Sequence, residues 1–214
     1  MTEQRRPETS VRPGFARDDW NARYAQKQLL WTAAPNRRFA EEVAGLAPGR
    51  ALDLACGEGR NAVWLAERGW EVIGVDFSDV ALAKATELAA NRGVEVDWVV
   101  ADVLDEDPVA GAFDLVAVLY LQLPREAMLR AIRGAASAVA PGGTLLVLGH
   151  DSANIADGHG GPKDPAVLYT ADDLVPLLEG LTVEHAGPVR RTVALDQGGE
   201  AVAIDAFVRV RRPV

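Results

Sequence analysis

The stretch Ala51-Leu-Asp-Leu-Ala-Cys-Gly-Glu-Gly-Arg-Asn61 limits what this chain can fold into more than any other. An apolar run breaks abruptly at Gly57 and Gly59 and passes into the helical pattern Asn61 to Arg68, which Gly69 can end in a left-handed conformation. A strand, a glycine turn and a helix in that order form the opening unit of an α/β sheet, and such turns hold ligands. Gly57, Gly59 and Ala62 satisfy the spacing G-x-G-x-x-A, so a pyrophosphate held by the turn's amides is one reading. Asp53 and Glu58 argue against it: two carboxylates beside the turn repel phosphate and suit a ligand carrying positive charge.

S-adenosylmethionine is such a ligand, with a sulfonium, an ammonium and no phosphate. The run Asp53-Leu-Ala-Cys-Gly57-Glu-Gly59 resembles the first motif of the class I methyltransferases that use it: an acidic residue, small residues and G-x-G. The segment Trp20-Asn-Ala-Arg23-Tyr24 also resembles the W-x-x-R-Y pattern of small tellurite-resistance and thiopurine-type members, where it closes the site. Trp20, Tyr24 and Trp31 then read either as a cover over the cofactor or as an aromatic face pinning a helix to the sheet. Arg37 or Arg38 is expected to reach the cofactor's carboxylate.

Downstream, Glu71-Val-Ile-Gly-Val-Asp76 is a second strand ending in an acid. In a doubly wound sheet that position lies beside a ribose, whose two hydroxyls a carboxylate can accept. Asp76 thus marks a ribose rather than one cofactor. Phe77 reads as an adenine neighbour or as core. A third strand, Val94 to Ala101, ends at Asp102, which the resemblance assigns to the adenine amino group, with the Val103 amide on a ring nitrogen. The same resemblance adds Ala55, Gly57, Gly59, Asn61 and Leu119 as cofactor-binding positions.

Ser78 is a fitting N-cap for a helix over Asp79–Asn91 that Gly93 stops. The apolar run Phe113 to Tyr120 suits a central parallel strand buried on both faces. Pro124 opens a helix, and Pro141-Gly142-Gly143 is expected to turn into a fifth strand over Thr144–Leu148. The linker 149–168 carries His150, Asp151, Asn154, Asp157 and His159 and is expected to line the substrate pocket, long connections tending to be functional. Tyr120, His150 and Asp151 are the candidate catalytic bases if the acceptor is a hydroxyl; a thiol or a metalloid needs none. No metal site is expected, because the histidines and acids of this linker lack an ordered ligand spacing. Thr170 with Asp173 forms a capping box, and the last two strands are separated by the turn Asp196-Gln-Gly-Gly199.

These elements predict an α/β, doubly wound, mostly parallel seven-stranded sheet with helices on both faces and an antiparallel last strand. The expected organisation is a disordered tail over 1–14 and one domain over 15–214, opened by a helical cover at 15–46. At 214 residues with 49% hydrophobic composition, one core is the natural solution. No apolar run is long enough for a membrane span, and no signal-peptide pattern opens the chain, so a cytoplasmic protein is expected. The net charge of −9 disfavours nucleic acid as a partner, leaving a small-molecule acceptor and a monomer or homodimer. Cys56, the single cysteine, reads as a small packing residue. A non-catalytic S-adenosylmethionine-binding protein and an NAD-dependent oxidoreductase are the rival readings.

Overall fold

The first two strands are each followed by a helix that returns the chain to the start of a parallel neighbour, and the fourth strand joins them in parallel, so the carboxyl ends of these strands share one edge. The computed structural model describes residues 16–105, 107–195 and 197–214. The tail expected over 1–14, Glu106 and the turn residue Asp196 lie outside the described residues. In chain order the elements are α1 (Arg17–Ala25), α2 (Arg37–Val43), β1 (Arg50–Leu54), α3 (Arg60–Ala66), β2 (Glu71–Asp76), α4 (Asp79–Arg92) and β3 (Asp97–Val100). They continue with β4 (Phe113–Leu119), α5 (Arg125–Ala138), β5 (Val139–His150), α6 (Asn154–Asp157), α7 (Ala171–Leu174), β6 (Thr182–Ala194) and β7 (Glu200–Arg211). One seven-stranded sheet results, ordered β3-β2-β1-β4-β5-β7-β6, with β7 antiparallel to both β5 and β6.

The strand order reverses between β1 and β4, which lie side by side with Asp53 opposite Ala117 and Leu54 opposite Val118. Helices on both faces force both faces of these strands to be apolar. Along β4, Val116 and Val118 enter the core shared with Met128 and Ile132 of α5, while Leu115 and Ala117 enter the core shared with Ala62 and Leu65 of α3. The alternation is the two-residue period of a strand serving two buried layers.

Several boundaries differ from the sequence reading for local reasons. Asp18 and Asp19, acids of the kind that cap helices, sit inside the first turn of α1; Ala16 is the N-cap, and its N–H donates to Asp19 Oδ2 at 3.1 Å. The helical cover is interrupted, since residues 26–36 run without regular structure between α1 and α2. Pro141-Gly142-Gly143 does not precede β5 but lies inside it: the strand pairs at Val139↔Phe113, shifts register, and resumes at Thr144↔Leu115. The linker after β5 is also more ordered than expected. Asn154, 1% exposed, accepts from Ile204 N at 2.7 Å and donates to Gly160 O at 2.9 Å, so α6 is clamped to β7. Ser78 and Gly93 bound α4 as expected, with Ser78 Oγ accepting from Ala81 N at 3.0 Å.

Candidate active site

The carboxyl ends of β1 and β4 open onto a cavity of about 320 Å³, roofed by the segment after α1. Its floor is the glycine turn. Gly57 has φ +57°, and a Cβ there would fall 2.8 Å from the Tyr24 hydroxyl; Gly59 has φ +74°, and its Cβ would meet the Trp98 ring and Ala85. Both glycines are therefore required twice over, by backbone and by space. Two non-glycine residues share this left-handed conformation, Ala55 (φ +56°) and Tyr120 (φ +57°), and they end the two adjacent strands. Backbone strain of this kind concentrates where a ligand site dictates the chain's path.

Asp53 lines the cavity at 1% exposure, and its Oδ2 has no hydrogen-bond partner among the described residues. Burial pushes its carboxyl up to about 7, and the nearby Asp76 adds to the shift. Asp76 ends β2 at 5% exposure, where Oδ2 accepts from Gly57 N at 2.8 Å and Oδ1 from Ser78 N at 2.9 Å. Burial raises its pKa despite those two amides. Cys56 is buried, and burial followed by the charges of Asp53 and Asp76 pushes its thiol up, the opposite of what a nucleophile needs.

Glu58 has a different job from the one its charge suggests. At 3% exposure it accepts from Leu30 N at 2.9 Å and Trp31 N at 3.0 Å and pairs with Lys84 Nζ at 3.2 Å. Lys84 in turn donates to the carbonyls of Tyr24 and Lys27. A carboxylate of the glycine turn and a lysine of α4 thus fasten the roof that Tyr24 and Trp31 form.

The far wall gathers side chains from distant parts of the chain. Tyr120 donates its hydroxyl proton to Asp205 Oδ2 at 2.8 Å, and Arg191 Nε donates to the same oxygen at 2.6 Å. His150 Nδ1 lies 3.4 Å from the other oxygen, Asp205 Oδ1, an approach within ion-pair distance, and neither atom has a hydrogen-bond partner among the described residues. The rings of Tyr120 and His150 are 5.0 Å apart. Asp205, on β7, is 1% exposed; burial pushes its carboxyl up, but contacts with His150, Arg191 and Tyr120 outweigh it and hold it below the usual range. Burial, then the Asp205 charge, raises the Tyr120 phenol, which is therefore neutral.

Of the residues singled out from sequence, Tyr24, Trp31, Arg37, Asp53, Ala55, Gly57, Asn61, Leu119, Tyr120 and His150 line the cavity together. Asn61 is buried and accepts from Asn36 N at 2.9 Å. Gly59, Asp76, Phe77, Asp102, Val103 and Asp151 are not on its wall. Asp102 Oδ1 accepts from Leu104 N at 2.9 Å and is close enough to act on the charge of Asp76. Asp151 turns away: its Oδ1 accepts from Ala153 N at 2.8 Å, so it shapes the turn into α6, and His150 alone of the linker 149–168 reaches the cavity. Arg37 stands at the mouth, largely exposed and bridged to Glu41, while Arg38 is bridged to Glu42 and packs over Phe207. Among the described residues, no group of three or more histidines, cysteines and acids is placed to hold a metal ion, and no helix is long and apolar enough to cross a membrane. Sequence reasoning missed Arg60, Arg191 and Asp205. The last two are distant from the glycine motif and carry no motif of their own; Arg60 lay inside it but was given no role.

Comparison with known proteins agrees with this geometry. Residues 51–143 match the family described as a methyltransferase domain. A 2-heptyl-1-hydroxyquinolin-4(1H)-one methyltransferase of Mycobacteroides abscessus is 30% identical over 173 residues, 75% of this chain and 72% of that protein. A demethylmenaquinone methyltransferase of Thermus thermophilus is 40% identical over 114 residues, so the match spans about half of either protein, 52% of each. TehB from Haemophilus influenzae superposes with a TM-score of 0.71 at 18% identity over 92% of this chain and 66% of that one, a likeness of fold that agrees with the resemblance carried by Trp20, Arg23 and Tyr24. With its reversed last strand, its acid before G-x-G and these relatives, the chain belongs to the class I S-adenosylmethionine-dependent methyltransferases.

Proposed function

We propose that the protein transfers a methyl group from S-adenosylmethionine to a hydroxyl of a small molecule. The observation that carries this reading is the carboxylate-backed imidazole, Asp205 behind His150, on the cavity wall beside Tyr120. An imidazole held by a carboxylate through Nδ1 has its other nitrogen available as a base, which a hydroxyl acceptor needs and a thiol does not. The hydroxyquinolinone acceptor named for one relative is of this class.

The residues present fit the cofactor. The partnerless Asp53 Oδ2 is suited to its ammonium, Asp76 to its ribose hydroxyls, and Asp102, the Val103 amide and Phe77 to its adenine. Ala55, Gly57, Asn61 and Leu119 shape the floor, Gly59 turns the chain beneath it, and Tyr24 and Trp31 close over it. When bound, S-adenosylmethionine supplies an electrophilic methyl group on a positively charged sulfur. His150 takes the acceptor proton, Asp205 holds His150 in one tautomer, and the roof excludes water. Positioning is a large share of such a reaction.

Turnover of hydroxyquinolinones, hydroquinones, thiols and tellurite by the purified protein tests the reading. His150→Ala is expected to lower kcat for a hydroxyl by about a hundredfold or more, with Asp205→Asn smaller and Tyr120→Phe smaller still. Full activity of His150→Ala on the best acceptor would return thiols or metalloids to first place. Cofactor binding without transfer to any class would mean a non-catalytic binder.

A further inference from the structure

Three guanidiniums line the cavity: Arg37 is bridged to Glu41 at its mouth and Arg191 is held by Asp205, which leaves Arg60. Arg60, at the first turn of α3, lines the wall beside Asp53 and Tyr120 and is partly buried, yet among the described residues it makes no hydrogen bond and no ion pair. The carboxylates around it are committed elsewhere. Glu58 is taken by the roof amides and Lys84, and Asp205 by Tyr120 and Arg191. Asp53 acts on Arg60 through charge alone, without a contact within ion-pair distance. Arg191 gives its Nε to Asp205, also lies against the Tyr120 hydroxyl and ring, and keeps part of its guanidinium exposed at the cavity. The two guanidiniums are close enough for each to act on the other's charge, and burial lowers the pKa of Arg60. With Asp53 committed to the ligand's ammonium, Arg60 and Arg191 against Asp205 leave one positive charge at this end of the cavity, in a chain whose net charge is −9. A sulfonium held nearby adds a second. Placing a cation among cations in a half-buried wall costs free energy unless the intended occupant is an anion.

We propose that Arg60 and Arg191 form a receptor for an oxyanion, so that the acceptor is a hydroxyl acidic enough to be held and methylated as its conjugate base. This rests on the small-molecule methyl transfer proposed above and adds the acceptor's charge state. The guanidinium fork supplies several donors in one plane, matched to an oxygen that bears charge. The acceptor proton passes to His150 or to water before transfer. The oxygen's electron pair then forms the O–CH3 bond as the S–CH3 bond breaks, its electrons going to sulfur. Negative oxygen and positive sulfur both become neutral, and the methyl ether leaves because nothing on it answers the two guanidiniums. A neutral alcohol would leave them unpaired, so selection against it is built into the wall.

The test is calorimetric titration of the protein saturated with S-adenosylhomocysteine, using 1-hydroxyquinolin-4(1H)-one, 4-nitrophenol, phenol, benzoate and anisole across pH, paired with turnover of each. Affinity is expected to follow the ionised fraction of each probe, with anisole the weakest and 4-nitrophenol far ahead of phenol at neutral pH. Arg60→Gln should weaken the anions tenfold or more and anisole less than twofold, with Arg60→Lys in between and S-adenosylhomocysteine affinity within twofold of the parent. Methylation of the phenols with benzoate bound but unreacted identifies an acidic hydroxyl; methylation of benzoate alone identifies a carboxylate and overturns the hydroxyl. A loss in Arg60→Gln that falls on S-adenosylhomocysteine instead makes Arg60 the partner of the cofactor's carboxylate and overturns the receptor. So does equal loss for neutral and anionic probes, or transfer to thiols alone, which leaves the transferase reading intact. Absence of transfer to every class of acceptor overturns that reading itself.

Discussion

Asp53→Asn separates the cost of the cofactor site from its use. The Asp53 carboxyl, held up at about 7 by burial and by Asp76, titrates near 3.9 in an unfolded chain. A raised folded pKa means that the folded state holds its proton longer. The stability Asp53 contributes is therefore complete below about pH 4 and is lost as pH rises through about 7. Three units at about 1.4 kcal/mol each give a loss of up to about 4 kcal/mol in the ligand-free protein. Asn carries no proton to lose, so Asp53→Asn is expected to flatten the pH profile between 4 and 7 and to be the more stable protein at pH 8 in urea unfolding. Binding has the opposite sign, because the ligand's ammonium calls for the ionised carboxylate. At pH 6 about nine-tenths of the free Asp53 is protonated, so S-adenosylhomocysteine should bind about tenfold more weakly than at pH 8 and release about 0.9 proton. Calorimetric titration in two buffers of different ionisation enthalpy counts that proton directly. Binding by Asp53→Asn as tight as the parent's, or the absence of proton release at pH 6, would refute the assignment of Oδ2 to the ammonium.

Three further substitutions probe the roof, the floor and the linker. Glu58→Ala leaves Lys84 and two roof amides unanswered and is expected to cost about 3–5 kcal/mol, with faster amide exchange at Leu30 and Trp31; Glu58→Gln with Lys84→Met should lose less, and an unchanged exchange pattern would sink the role of fastener. Gly57→Ala must accept φ +57° and a methyl against the Tyr24 hydroxyl, so a destabilisation of about 1–2 kcal/mol is expected together with at least tenfold weaker S-adenosylhomocysteine binding by calorimetry. Asn154→Ala strands Ile204 N and Gly160 O and should cost about 1–3 kcal/mol in urea unfolding, raising the acceptor KM more than that of the cofactor.

The glycine turn and the acid that ends β2 were legible because each is a local demand. Gly57 and Gly59 occupy positive φ, Ser78 and Gly93 bound α4 through their own backbone needs, and Asp76 follows a strand whose end the fold class places beside β1. The Thr170–Asp173 box formed as its spacing implies. Where the reading failed, the competing contact was distant. Glu58 was read by its charge, but the partners that use it are the roof amides and Lys84. Asp151 is the exception: its partner is local, the Ala153 amide, and that turn carries it away from the cavity. The linker looked free of structure because Asn154, a polar residue in a polar run, gives no sign in sequence that Ile204 is its partner.

By itself, then, the sequence determined the fold class and the cofactor class, because backbone conformation and strand periodicity are properties of adjacent residues. Only the tertiary structure decided the acceptor end. Tyr120, His150, Arg191 and Asp205 come from the ends of β4 and β5 and from the middle of the β6–β7 hairpin, and sheet order alone brings them to one wall. Their meaning depends on which carboxylates are already spent, and that accounting exists only once the chain is folded.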